Sequence, residues 1–228
     1  MKKPVVDYRQ FRLRKLNTPE FSHLKLLLIG WGAYFALYFL TENLIPLENC
    51  HVIHSALDDR IPFCELFVIP YVLWYLLVAG SLLYFGLYDI PSFKKLQTFI
   101  MITQAIAMTA YILYPSRQDL RPEVFPRENF LTWGMSIIYA FDTPSGVCPS
   151  LHVAYSLGIA SVWCKKKDVA PGWKIALVVF ILIICLATAF VKQHSVVDIF
   201  WALPVGLIAE IALYGKSWWL PRLRGEQA

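Results

Sequence analysis

Between Val191 and Phe200 the chain reads VKQHSVVDIF. His194 and Asp198 are spaced i, i+4, so on a helix they share one face. The rise per residue sets Asp198 ~6 Å deeper than His194. A carboxylate at that depth in an apolar run is expensive without a partner, and His194 is the obvious one. Asp198 accepting from Nδ1–H would leave Nε2 as a free, more nucleophilic nitrogen. Lys192, two residues earlier, brings a positive charge to the same level.

A second pair of reactive side chains opens another apolar run. The stretch Cys148–Trp163 reads CPSLHVAYSLGIASVW, with Ser150 and His152 in its first turn. Pro149 suits a helix start, where its missing N–H costs nothing. A helix N-terminus carries partial positive charge and unsatisfied N–H groups, which makes it a ready anion site. Arg117 and Arg121 lie in the Pro-rich, charged stretch PSRQDLRPEVFPRENF, which must be loop. Two histidines, a carboxylate, a serine and several cations suit phosphoryl transfer. Cations hold the equatorial oxygens, one histidine attacks phosphorus, and the other protonates the leaving alkoxide. A lone histidine at a helix end is usually interfacial filler, and a His–Asp pair can be structural. The catalytic reading rests on separate segments meeting at one depth on one side.

The elements that must position these residues are membrane spans. The chain has 228 residues, of which 57% are hydrophobic, with mean hydropathy +0.52. That is too apolar for an ordinary soluble domain. Six apolar runs approach the ~20 residues needed to cross hydrocarbon: 24–41, 66–87, 96–114, 147–164, 173–191 and 196–214. The expected fold is an all-α membrane protein with six transmembrane helices. A basic segment, 1–23, precedes the six-helix domain, 24–214, and a tail, 215–228, follows it. The first run starts late and no cleavage pattern follows, so it reads as an uncleaved span.

Charge placement predicts orientation. Lys2, Lys3, Arg9, Arg12, Arg14, Lys15 and Lys25, then Lys94 and Lys95, then Lys165, Lys166, Lys167 and Lys174, then Lys216, Arg222 and Arg224 all fall on one side. The positive-inside rule puts that side, and both termini, in the cytoplasm. The histidines then face outward, at the outer ends of spans four to six. The formal net charge of +5 is thus a topology signal that calls for no nucleic acid, although the basic N-terminus would also suit anionic lipid. Among the five cysteines, Cys50 and Cys64 lie on the outer side and could pair. Small apolar filler near membrane is the commoner role. The outer stretch NCHVIHSALDDRIPF would form an amphipathic interfacial helix, with Val52, Ile53, Ala56 and Leu57 on one face. His51, His54 and Asp58 would share the other face at a spacing that permits metal ligation, though solvated helix faces are far commoner.

These residues resemble the type-2 phosphatidic acid phosphatase superfamily, whose members have six spans and three motifs. Arg121-Pro122 matches the end of the first motif, whose lysine position holds Tyr114 here; Arg117 stands nearby to supply that charge. Pro149-Ser150-Leu151-His152 matches the second, Pro-Ser-Gly-His, with Leu for Gly; Pro144-Ser145-Gly146 lacks the histidine. His194 and Asp198 match the end of the third, whose Ser-Arg is replaced by Ala187-Thr188. Lys-Gln-His and the altered second motif are similar to the branch of inositol phosphorylceramide synthases. The resemblance implies that His194 is the nucleophile, Asp198 orients it, and His152 is the general acid. It implies that Arg121, Lys192, Ser150 and Arg117 bind phosphate, with no metal or cofactor. The substrate would be a lipid phosphate, and the leading expectation is hydrolysis by a membrane phosphatase; transfer to an alcohol by a phosphotransferase is the alternative. A different class of reading is a binder or transporter that has lost catalysis. A channel would need ionisable groups deep in several spans; only Asp198 and Glu210 come close.

Overall fold

The computed structural model describes residues 3–225; Lys2 of the basic segment and the last three residues of the tail lie outside the described residues. The architecture is helical: α1 (Leu24–Leu44), α2 (Val68–Tyr88), α3 (Ile90–Leu113), α4 (Phe130–Phe141), α5 (Leu151–Cys164), α6 (Pro171–Phe190) and α7 (Val196–Tyr214). Two-residue strands, β1 (His51–Val52) and β2 (Ser116–Arg117), pair in parallel. Helix starts follow local chemistry. Asp89 caps α3 by accepting from the Ser92 N–H at 3.2 Å. Asn129 and Thr132 close a capping box on α4, and prolines occupy the first turns of α3 and α6.

Among the described residues, five helices are long and apolar enough to cross a membrane. Their outward faces carry exposed apolar side chains such as Phe35, Leu76, Leu182, Phe200 and Ile211. In α1 the only buried residue is Gly30. Apolar surface on this scale belongs in a membrane.

The sequence-predicted fourth span, 147–164, is where the structure departs. Its helix runs only over Leu151–Cys164, 14 residues, about 21 Å at the helical rise. Val147 and Cys148 belong to the preceding loop, where the Cys148 N–H donates to Ser116 Oγ at 3.2 Å. This short helix lies at the centre of the bundle, packed on α3, α6 and α7. Ala154, Ser156 and Ile159 on it are fully buried. The amphipathic helix expected at His51–Asp58 is also absent. His51 and Val52 pair instead with Ser116 and Arg117, His51 stacks on Tyr114, and the chain then turns through Asp58. The stretch 115–129 is non-helical, as expected of the loop, but α4 follows it at once.

The ends of the bundle differ in charge. At one end Lys165 meets Glu210 at 2.6 Å, Lys166 pairs with Asp89 and Lys95 donates to the Leu213 carbonyl. The basic N-terminal segment folds onto this same end: the Val5 N–H donates to the Leu87 carbonyl, and the Tyr8 hydroxyl reaches His23 and the Gly86 carbonyl. The other end holds His194 and His152. The five cysteines are all free thiols, Cys50 and Cys64 included.

The contact of α3 with α5 depends on Gly158: a Cβ there would come within 2.5 Å of Phe99 Cδ1. Gly158→Ile therefore costs about 1–3 kcal/mol by overpacking, read as a lower thermal midpoint in detergent. Gly80→Ala, where nothing lies within 4 Å of the new atom, leaves the midpoint unchanged or raises it.

Candidate active site

The turn between α6 and α7 carries the first part of the site. The Gln193 and His194 N–H groups both donate to the Thr188 carbonyl, which closes α6. Lys192 bridges the turn with φ 55°, a left-handed conformation that L side chains rarely adopt. Ser195 then caps α7: its Oγ accepts from the Val197 N–H at 3.1 Å. The Ser195 N–H donates back to Asp198 Oδ2 at 2.9 Å.

That same oxygen lies 3.3 Å from His194 Nδ1. Asp198 is fully buried, so its charge is held by the cap and the imidazole together. The carboxylate fixes Nδ1 as the protonated nitrogen, which leaves the lone pair on Nε2. Nε2 lies 3.3 Å from His152 Nδ1. The i, i+4 pair read from sequence thus extends into a relay of Asp198, His194 and His152 across α7, its turn and α5.

His152 is held by aromatic packing. Its ring centroid lies 4.1 Å from that of Trp74 and 4.8 Å from that of Tyr71. Trp74 Nε1 donates to the His152 carbonyl at 3.0 Å. The far nitrogen, Nε2, has no hydrogen-bond partner among the described residues. Ser150 is fully buried at the N-cap of α5. Its N–H donates to the Asp198 carbonyl at 3.1 Å, tying the start of α5 to α7.

The expected phosphate cations are distributed unevenly. The Arg121 guanidinium donates to Gln193 Oε1 at 2.7 Å and to the Tyr139 and Thr143 carbonyls, and lies over the Tyr139 ring. It therefore sits one residue away from His194. Lys192 turns its ammonium to the carbonyls of Asp58 and Ile61. Arg117 is engaged with the Leu47 carbonyl and the Asp119 carboxylate. The metal set allowed by spacing does not assemble: His54 bonds Asp59, His51 stacks on Tyr114, and Asp58 faces Ser195.

The structure adds two acids that sequence reasoning gave no place in the site. Asp142 follows α4, accepts from Tyr38 at 3.0 Å and Gln193 at 3.2 Å, and lines the same cavity as His152. Burial pushes its carboxyl above the usual range, against the opposing pull of Tyr38, Arg121 and His194. Asp58 is 2% exposed. Burial alone would raise its carboxyl, but hydrogen bonds from Ser195, Val196 and Ser55 outweigh that and hold it below the ordinary range.

His152 and Asp142 form the head of an apolar cavity of about 1430 Å³, walled by α1, α2, α4 and α5. It continues to Tyr8, Gly86 and Phe93 at the far end of the bundle. Along α2 it extends from Val72 to Leu87, about 22 Å by helical rise.

No family model, curated protein or solved structure matches this chain.

The relay predicts a tautomer. In nitrogen-resolved NMR of histidine-labelled protein, His194 shows a protonated Nδ1 and a lone pair on Nε2. In Asp198→Asn that preference is lost, because the amide no longer demands a donor from the ring. An unchanged His194 signal in the variant would refute the assignment.

Proposed function

We propose that the chain is an integral-membrane, metal-independent lipid phosphatase or phosphotransferase working through a phosphohistidine. One observation carries the reading: Asp198, His194 and His152 stand in a continuous 3.3 Å, 3.3 Å relay whose last member, His152, lines a long apolar cavity.

In this reading the His194 Nε2 lone pair attacks phosphorus and the P–O bond to the lipid breaks. Protonated His152 gives its proton to the leaving alkoxide. His152, now neutral, takes a proton from an incoming hydroxyl, whose oxygen attacks phosphorus and releases Nε2. Asp198 stabilises the positive charge that builds on His194. Arg121, placed by Gln193, the residue next to His194 in the chain, holds a phosphate oxygen, and the N-terminus of α5 adds N–H donors. The apolar cavity receives the hydrocarbon of the substrate, whose phosphate then lies at the histidines. Following the charge of the loops, both termini are cytoplasmic and the histidines face the extracytoplasmic side of a cell membrane.

Hydrolysis and transfer share the first half-reaction.

The test follows phosphate release from phosphatidic acid, isoprenyl diphosphates and phosphatidylglycerol phosphate by detergent-purified protein with EDTA present. Release should fall at least ~10³-fold in His194→Ala and about 10²–10⁴-fold in His152→Ala. If phosphate is not released, phospholipid donors with alcohol acceptors should give head-group transfer that is equally dependent on His194. Turnover retained in His194→Ala sinks the mechanism. A lipid phosphate bound unchanged, with His152→Ala tolerated, would identify a binder instead.

A further inference from the structure

Asp58 lies 136 residues before His194 in a loop with no helical or sheet structure of its own, yet it is almost wholly buried. Its carboxylate is spent on the catalytic turn. Oδ2 accepts from the Ser195 hydroxyl at 2.6 Å, and Oδ1 from the Val196 N–H at 2.8 Å. The Ser55 N–H donates to the same group at 2.7 Å, which folds the loop around it. The loop is tied a second time from the other direction: the Lys192 ammonium donates to the Asp58 and Ile61 carbonyls. Thus the residues on both sides of His194 and Gln193, namely Lys192 and Ser195, are held by one segment, 55–61.

Two features show that the turn needs this hold. Lys192 adopts a left-handed conformation where glycine or asparagine would be ordinary, a strain that surrounding structure must offset. Ser195 also carries the cap that orients Asp198, so a shift of Ser195 moves the carboxylate that holds His194.

We infer that the 55–61 loop is a strap, and that Asp58 is a positioning residue which sets His194 by fixing Ser195 while Lys192 anchors the strap from the other side. Lys192 then serves the nucleophile's geometry; its ammonium is a tether to the strap. The inference rests on the phosphohistidine reading for its consequence in turnover, but its structural part stands apart from it.

The experiment uses the full chain in detergent with two readouts. One is kcat and KM on whichever lipid phosphate is turned over. The other is the rate at which diethyl pyrocarbonate modifies His194, followed by mass spectrometry, which needs no substrate. Asp58→Ala should lower kcat about 10²-fold, the cost of a displacement of order 1 Å. KM should stay within about twofold, since binding groups are left in place. Asp58→Asn, which keeps the shape and one acceptor, should recover part of kcat. His194, 7% exposed in the intact chain, should be modified faster in Asp58→Ala. Lys192→Met should act in the same direction and serves where Asp58→Ala does not fold.

Wild-type kcat with unchanged His194 modification in Asp58→Ala or Lys192→Met overturns the strap. So does a KM increase with kcat intact, which would make Asp58 or Lys192 a binding group. If the wild-type protein turns over no lipid phosphate, the functional reading fails. Faster modification of His194 in the variants then still supports the strap, and equal modification overturns it.

Discussion

A carboxylate shut away from solvent must have its charge met by protein groups, and Asp198 is fully buried. The other features of the histidine end follow from how that requirement is met. One oxygen takes both the cap N–H of Ser195 and the ring nitrogen of His194. The first bond starts α7, and the second fixes which nitrogen of His194 carries a proton. The backbone of Asp198 contributes as well, since its carbonyl receives the Ser150 N–H and so joins the start of α5 to α7. A single buried residue therefore ties the beginnings of two helices and the orientation of the imidazole between them. Its other oxygen, Oδ1, has no hydrogen-bond partner among the described residues, so all the side-chain hydrogen bonding falls on Oδ2.

The bundle around this end is arranged asymmetrically. α5 is short and central, so its first turn, with His152, lies among the walls of the neighbouring helices. On α2 the residues that face the ring are Tyr71, Trp74 and Tyr75, one to two turns inside that helix's start at Val68. α1 stands apart from this packing. It leans on α3, close enough at Gly30 that a Cβ would meet Gln97 and Met101 at 2.7 Å, and beyond that it reaches the bundle through Trp31 on the Tyr155 ring and Tyr38 on Asp142. The space left among α1, α2, α4 and α5 is the apolar cavity that ends at His152 and Asp142.

Much of this was legible in the sequence because helix periodicity and capping are local. The five long helices follow from apolar runs, and the His194–Asp198 pairing from spacing alone. α5 was misread at its start because Val147, Cys148 and Pro149 are as apolar as a span. Ser150, a strong capping residue, was the signal that the helix begins after it. α4 escaped notice although Asn129 and Thr132 form a capping pair directly before an apolar run. The stretch 51–58 has helical amphipathicity, but β pairing with Ser116 and Arg117 and the burial of Asp58 override it. Non-local partners of this kind leave no periodic trace. Neither Asp58 nor Asp142 could be assigned by sequence, since their contacts lie at 137 and 104 residues' separation from Ser195 and Tyr38.

The placement of positive charge shows the same limit most sharply. By position in the chain, Lys192 and Arg121 look equivalent: both are cations close to the histidines in sequence or motif. Tertiary structure separates them. Lys192 spends its ammonium on two loop carbonyls, neutral acceptors that a compact, multiply donating charge satisfies well. Arg121 binds Gln193 with one edge of its guanidinium, while its Nε has no partner among the described residues. The terminal nitrogens of Arg121 are also held by the Tyr139 and Thr143 carbonyls, so the guanidinium is fixed in place around Gln193, the residue before His194, while the lysine keeps the turn in shape.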